Sequence, residues 1–394
     1  MLRLQPAKAI TTASDGVTAA SPPVAIARDF DDPYLELLRL LREAAEIEHA
    51  LMVQYLYAAF AVRPEYFKLQ GATSASARNL MGVAIQEMKH FDDVNRLLVE
   101  LGASPCMERQ DFPYEPDIYP FPFHLERLTP ESLAKYAWTE APSGALEPGP
   151  ATTPADQDFL DRLGHVLGPD VRPNHLGSVY GTMIQRLEEV AAAAPSRFPD
   201  LATWVAKLEA IKDEGEDVHY RFFRSVFMGE HTAFADNTDI WSLPMDDPLY
   251  PSFPVPMNPT ALISDTPAHQ EDPIARKAWL SDLHYWTILM LLDLAYRHEM
   301  PTSGIAKRHM TEPLLALGID LAANGHGMPF DPLSMGYAGG VAQAGSVEVL
   351  RRLVVEADGV ARRLEGERQL PADYPIDINT TTTQQLAQMR VMDG

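Results

Sequence analysis

Two Glu-x-x-His pairs are candidates for chemistry: Glu87 with His90 in QEMKH, and Glu216 with His219 in GEDVH. Residues three apart on a helix share a face, so each pair can aim a carboxylate and an imidazole at one point. The neighbours are apolar or aromatic: Val83, Ile85, Met88 and Phe91 around the first pair, Tyr220, Phe222 and Phe223 around the second. If those faces point inward, two acids and two histidines share one core. Buried carboxylates without partners are costly, and neighbouring ones repel. A bound cation removes both penalties. A mixed carboxylate–imidazole set suits iron or manganese better than calcium or a structural zinc. The competing reading is a buried polar network without metal.

A Glu three residues before a His also arises by chance; twelve histidines give roughly one such pair at average Glu usage. Three occur here, the third being Glu46 with His49. The informative feature is that two pairs sit on separate long helical patterns. Some metal-binding helical bundles take Glu-x-x-His from each of two helices and a Glu from each of the other two. Helix one should then supply a lone Glu. Glu46 and Glu48 lie about 200° apart on a helix, so only one of them faces inward. Glu48 shares its stripe with Met52, Tyr55 and Ala59 and is expected there. Glu46 and His49 are left to an interhelical hydrogen bond or to solvent.

The elements that must position these residues are long helical patterns separated by Pro-rich stretches; 33 of the 394 residues are Pro, and they cluster. No run of alternating strands is visible, so the chain reads as all-α. Helix one starts after Asp31-Asp32-Pro33, a cap-then-Pro entry, and ends near Val62 before Pro64. Helix two runs from about Ser76 to Leu101. A short helix over Pro130–Thr139, capped by Thr129, interrupts a long irregular segment, and a Pro/Gly-rich loop continues to about Pro173. Helix three spans about His175–Ala194 and helix four about Leu201–Met228. After a second Pro-rich connection, helices are predicted over about Ile274–His298, Ile305–Asn324 and Val347–Glu365. Both connections carry many aromatics, which suits loops wrapped over a bundle rather than interdomain linkers. The expected organisation is an extended or disordered tail over 1–30, a bundle with an extra helix pair over 31–340, and a C-terminal amphipathic helix and tail over 341–394 in the same domain.

The stretches EIEHALMVQYLYA and IQEMKHFDDVNRLLVELG resemble the ferritin-like domain of the iminophenylpyruvate dimer synthase family of violacein and indolocarbazole biosynthesis. The likeness continues through YPFPFHLERLTPESLAKYAWTEAP, HLGSVYGTMIQRL and IKDEGEDVHYRFF, and covers roughly residues 35–340. It implies a ferritin-like four-helix bundle with long Pro-rich loops and additional C-terminal helices. It also implies metal ligands at Glu48, Glu87, His90, Glu216 and His219. One departure matters: where relatives tend to carry a helix-three Glu, this chain has Ser178. Glu188 and Glu189 lie about 15 Å further along the axis, and His175, one turn away, is a conceivable replacement. A missing carboxylate leaves one tightly bound ion, or two with an open position on the second, or a decayed site. The resemblance does not carry over the dimer-forming reaction, because the named pathway enzymes have a large additional N-terminal region.

The remaining composition narrows the function. A net charge of −23 disfavours nucleic acid and anionic membranes as partners. The most apolar run, Tyr285–Tyr296, is too short to span a bilayer and contains Asp293. The first thirty residues lack the apolar core of a secretory signal. The single cysteine, Cys106, excludes an internal disulfide and a Cys-based zinc or iron–sulfur site, and it is compatible with a reducing compartment. We therefore expect a cytoplasmic, iron- or manganese-dependent oxidase or oxygenase holding one or two ions. Its partners would be a small, amino-acid-derived metabolite, dioxygen and, as a homo-oligomer, further copies of itself. The alternatives are a ferritin-like iron-binding ferroxidase without organic substrate, and a non-catalytic partner with a decayed site.

Overall fold

In the computed structural model the described residues are 28–109, 121–142, 144–150, 152–168, 176–194, 200–235, 239–262, 272–332 and 343–389. Nearly all of the expected N-terminal tail, and His175, lie outside them. The all-α expectation holds: among the described residues there is no strand, only an isolated antiparallel bridge between Val62 and Ser252.

Local chemistry sets the helix starts. Helix α1 (Pro33–Ala61) opens on Asp32, whose side chain accepts from the Tyr34 and Leu35 N–H groups, with Pro33 in the first turn. A single turn, α2 (Phe67–Gln70), leads to α3 (Leu80–Glu100), capped by Asn79 onto the Gly82 N–H. Helix α4 (Pro130–Thr139) starts on a reciprocal Thr129–Ser132 capping box.

Besides the single turn α2, two helices were not expected. Helix α5 (Pro154–Leu167) falls in what reads as a loop, because it buries only Phe159 and Leu163; its Thr153–Asp156 capping box was the available signal. The last helix, α13 (Ile378–Gln388), begins with a run of four threonines, poor helix formers, and is held by packing on α12 (Gln343–Gly366).

The bundle consists of α1, α3, α6 (Leu176–Ala193) and a composite fourth helix. That fourth helix is not one uniform rod. Helix α7 (Leu201–Asp213) passes into a π-turn at Glu214–His219 before α8 (Tyr220–Phe227) resumes. Helix α1 is buried around its circumference between α3, α6 and α11 (Leu315–Ala323). The second buried rod is α9 (Pro273–His298), covered by α10 (Ser303–His309) and α12. A second π-turn, Met310–Leu314, joins α10 to α11 where Pro313 cannot donate a backbone hydrogen bond.

The connection before α9 wraps over α1, as its aromatics suggest. Phe253 N–H bonds to Ala61 O at 2.7 Å, Arg63 N–H to Pro251 O at 2.9 Å, and Tyr57 donates to Pro256 O. Helix α4 packs on α8, which carries its C-terminal end, at Glu140, into the bundle interior.

Candidate metal centre

Three elements deliver four of the five expected residues to one point in the core. Glu48 on α1, Glu87 and His90 on α3, and His219 at the end of the π-turn are each at most 2% exposed. Glu140, the C-cap of α4, joins them at 3%. Two overlapping groups result: Glu48, Glu87 and His90, and Glu87, Glu140 and His219. Within each group the candidate ligand atoms lie within 4.8 Å of one another. Glu87 belongs to both. Its Oε2 is 3.0 Å from His90 Nδ1, and its Oε1 is 2.8 Å from His219 Nδ1. Glu48 Oε2 is 3.5 Å from His90 Nδ1, and Glu140 Oε2 is 3.5 Å from His219 Nδ1.

The donor set fits cations. Glu48 Oε2, Glu87 Oε1 and His219 Nδ1 are buried and make no well-directed hydrogen bond among the described residues; Glu87 Oε1 faces His219 Nδ1, and Glu48 Oε2 faces His90 Nδ1. Each imidazole has its other nitrogen occupied from behind: His90 Nε2 lies 2.9 Å from Glu214 Oε2, and His219 Nε2 lies 3.3 Å from Gln86 Oε1. With an ion bound, that arrangement would keep the N–H on Nε2 and offer the Nδ1 lone pair to the centre. Two tyrosines hold the outer carboxylates: Tyr180 donates to Glu48 Oε1 at 2.5 Å and Tyr55 to Glu140 Oε1 at 2.6 Å. Such hydrogen bonds to a charged acceptor are among the stronger ones in proteins.

The metal-free cluster is electrostatically frustrated. Burial, reinforced by repulsion from Glu87, raises the Glu48 pKa to about 8. Burial also penalises the Glu87 charge, but His219 and His90 outweigh it and hold Glu87 well below the usual carboxylate range. Burial opposes charge on His219 too; Glu87 and Glu140 overcome it and lift the pKa to about 10. His90 is likewise raised, burial being outweighed by Glu214, Glu48 and Glu87. Without an ion, Glu48 is pushed toward its protonated form, and the Glu87 charge is offset by protons on the two imidazoles.

Glu216, expected beside these residues, is only half-buried. It lines the wall of a small cavity together with Glu87, His90, Glu140, Lys212 and His219. Its pKa is raised, mainly by burial, with Lys212 lowering and Asp213 raising it. The reason is the π-turn: i→i+5 closure widens the helix, so residues three apart no longer stack as in an α-helix. The same turn swings Glu214 behind His90. Ser178 is half-buried on α6, and Glu140 is the carboxylate on the side of His219.

The sequence reading missed Glu140 and Glu214. For Glu140 a signal existed. An acidic residue at a helix C-terminus opposes the macrodipole, and a buried one does so at further cost, so such a placement needs a compensating partner. Gly215 leaves room for it: a Cβ there would lie 3.0 Å from Glu140 Oε2. For Glu214, no α-helical spacing pointed to His90. The third pair, Glu46 and His49, stands apart. Glu46 bonds to Arg42, and the buried His49 bonds to Glu108 O and the Tyr285 hydroxyl.

A helical bundle with carboxylates and histidines converging from its helices defines a class. Residues 41–210 match the family model described as ferritin-like, in line with the resemblance in the sequence. The matched stretch contains Glu48, Glu87, His90 and Glu140, whereas His219 lies beyond it. Among curated proteins the chain is similar to dichlorochromopyrrolate synthase of Lentzea aerocolonigenes, 28% identical over 284 residues, covering 57% of this chain and 27% of that protein. The chain thus spans about a quarter of that relative's length. No solved structure matches it.

Proposed function

We propose that this protein is an iron-dependent oxidase or oxygenase acting on a small, amino-acid-derived metabolite. The ferritin-like domain and the biosynthetic relative support a metal-dependent enzyme of secondary metabolism. The observation that carries the reading is the convergence of Glu48, Glu87, His90, Glu140 and His219 in the core, with buried carboxylate and imidazole atoms that face one another without a well-directed hydrogen bond. In this reading Glu48, Glu87 and His90 hold one ion, and Glu87, Glu140 and His219 a second, with Glu87 shared. Glu216 closes the set from the cavity wall. Manganese would suit the same donors.

Bound there, ferrous iron would supply the electrons for dioxygen chemistry. The chain's own residues prepare the site for it. Tyr180 and Tyr55 fix the carboxylate orientations, and the two imidazoles present Nδ1. The cavity beside the cluster has room for about one water-sized molecule, too little for an organic substrate. In this reading an organic substrate would sit outside the cavity, next to Lys212 and Glu216, which line it. No helix among the described residues is long and apolar enough to cross a membrane.

Metal analysis of the purified protein, combined with oxygen-consumption assays, tests the proposal. Near-stoichiometric iron is expected, with oxygen uptake only when a metabolite is added. Glu87→Ala and His90→Ala should each lower metal content several-fold. Wild-type metal content in both variants would refute the ligand assignment.

A further inference from the structure

We infer that Glu214 and Gln86 form a positioning relay that joins the outer faces of both candidate ligand histidines and makes each present Nδ1 to the centre. The inference rests on the metal-centre reading above and adds residues to it. The relay runs His219 Nε2, Gln86 Oε1, Gln86 Nε2, Glu214 Oε1, Glu214 Oε2, His90 Nε2. His219 lies 3.3 Å from Gln86, Gln86 donates to Glu214, and Glu214 lies 2.9 Å from His90.

A counting argument shows why the relay needs a carboxylate. For both imidazoles to offer Nδ1 to a cation, both must carry the proton on Nε2 and donate outward. A chain with a donor at each end must contain one member that only accepts. Gln86 cannot be that member, because its amide has one accepting and one donating end. Glu214 can, since an ionised carboxylate accepts at both oxygens. The π-turn carries both His219 and Glu214, so this irregular turn sets up one end of the relay and its acceptor together.

The argument predicts an asymmetric effect of a nearly isosteric change. In Glu214→Gln the chain holds two amides in series and no acceptor-only member, so only one imidazole can still donate outward. The other is forced to turn its protonated nitrogen toward the centre. Loss of a hydrogen-bonded partner behind a ligand histidine typically weakens metal binding about 10–100-fold. One half of the centre should therefore weaken by that factor while the other stays near wild type. Asp217→Asn removes the same charge from the same turn, at an exposed residue paired with Arg221, without touching the relay.

The test is anaerobic titration of each full-length protein with ferrous iron, followed by calorimetry and by metal analysis after desalting. Circular dichroism and Tm confirm folding. At an iron concentration that just saturates the wild type, Glu214→Gln should retain about half the wild-type metal, and Asp217→Asn the full amount. A Glu214→Gln variant that matches the wild type in content and affinity overturns the inference. Equal losses in Glu214→Gln and Asp217→Asn also overturn it, because the effect would then be one of charge alone. A wild type that binds no iron refutes the metal-centre reading instead, so the two failures are distinguishable.

Discussion

Glu140 offers the sharpest test of the second half of the centre. Glu140→Gln keeps the shape of the side chain and an acceptor for the Tyr55 hydroxyl, now 2.6 Å from Oε1. It removes one negative charge from a buried group whose ligand atoms all lie within 4.8 Å. Two divalent ions facing Glu48, Glu87 and Glu140, with neutral imidazoles, leave a net charge of about +1; the substitution makes it about +2. Two unit charges about 4 Å apart interact by about 4 kcal/mol at the effective dielectric suited to proteins. The weaker desolvation penalty of an amide and its remaining oxygen ligand offset part of this. A loss of at least about 100-fold in affinity, about 2.7 kcal/mol, is expected for the second ion only. Anaerobic calorimetry with ferrous iron should resolve one retained tight site, held by Glu48, Glu87 and His90, and one weakened site. Two sites of wild-type affinity in Glu140→Gln would refute the assignment of this carboxylate.

Three further outcomes follow. Tyr180→Phe removes the donor to Glu48 Oε1 and should weaken the other ion by about 1–3 kcal/mol, read by the same titration; no change would mean the bond does not orient Glu48. Metal binding should tighten as pH rises from 6 to 8, because His219, with its metal-free pKa near 10, must release a proton to bind; a flat dependence with measured proton release of zero contradicts this. Acid should destabilise the fold through His309, buried against His284 and Thr382, whose pKa is lowered to about 3, mainly by burial. A His buried neutral contributes its full share of stability above the unfolded pKa of about 6.5, and that share is lost as pH falls toward 3. His309→Gln should therefore flatten the slope of unfolding free energy against pH by about 1.4 kcal/mol per pH unit between 6 and 4. Parallel slopes in denaturant titrations would rule this out.

Much of the scaffold follows from local chemistry. Asp32-Pro33, Asn79 and Thr129-Pro130 start α1, α3 and α4 with side-chain and proline rules that need no tertiary context. The 3.6-residue period likewise selects Glu48 over Glu46, and the structure buries the one and leaves the other with Arg42. Glu87 and His90 share a face because α3 is regular throughout.

Tertiary packing decided the rest. Glu140 reaches the centre because α4 docks on α8, a contact between segments about eighty positions apart that no local pattern encodes. Glu216 stands on the cavity wall, and Glu214 behind His90, because a π-turn replaces one α-turn and shifts which residues share a face. Spacing along a chain fixes directions only while the helix keeps one period. Where the bundle's packing imposes another, the identity of the residues that meet is settled in three dimensions.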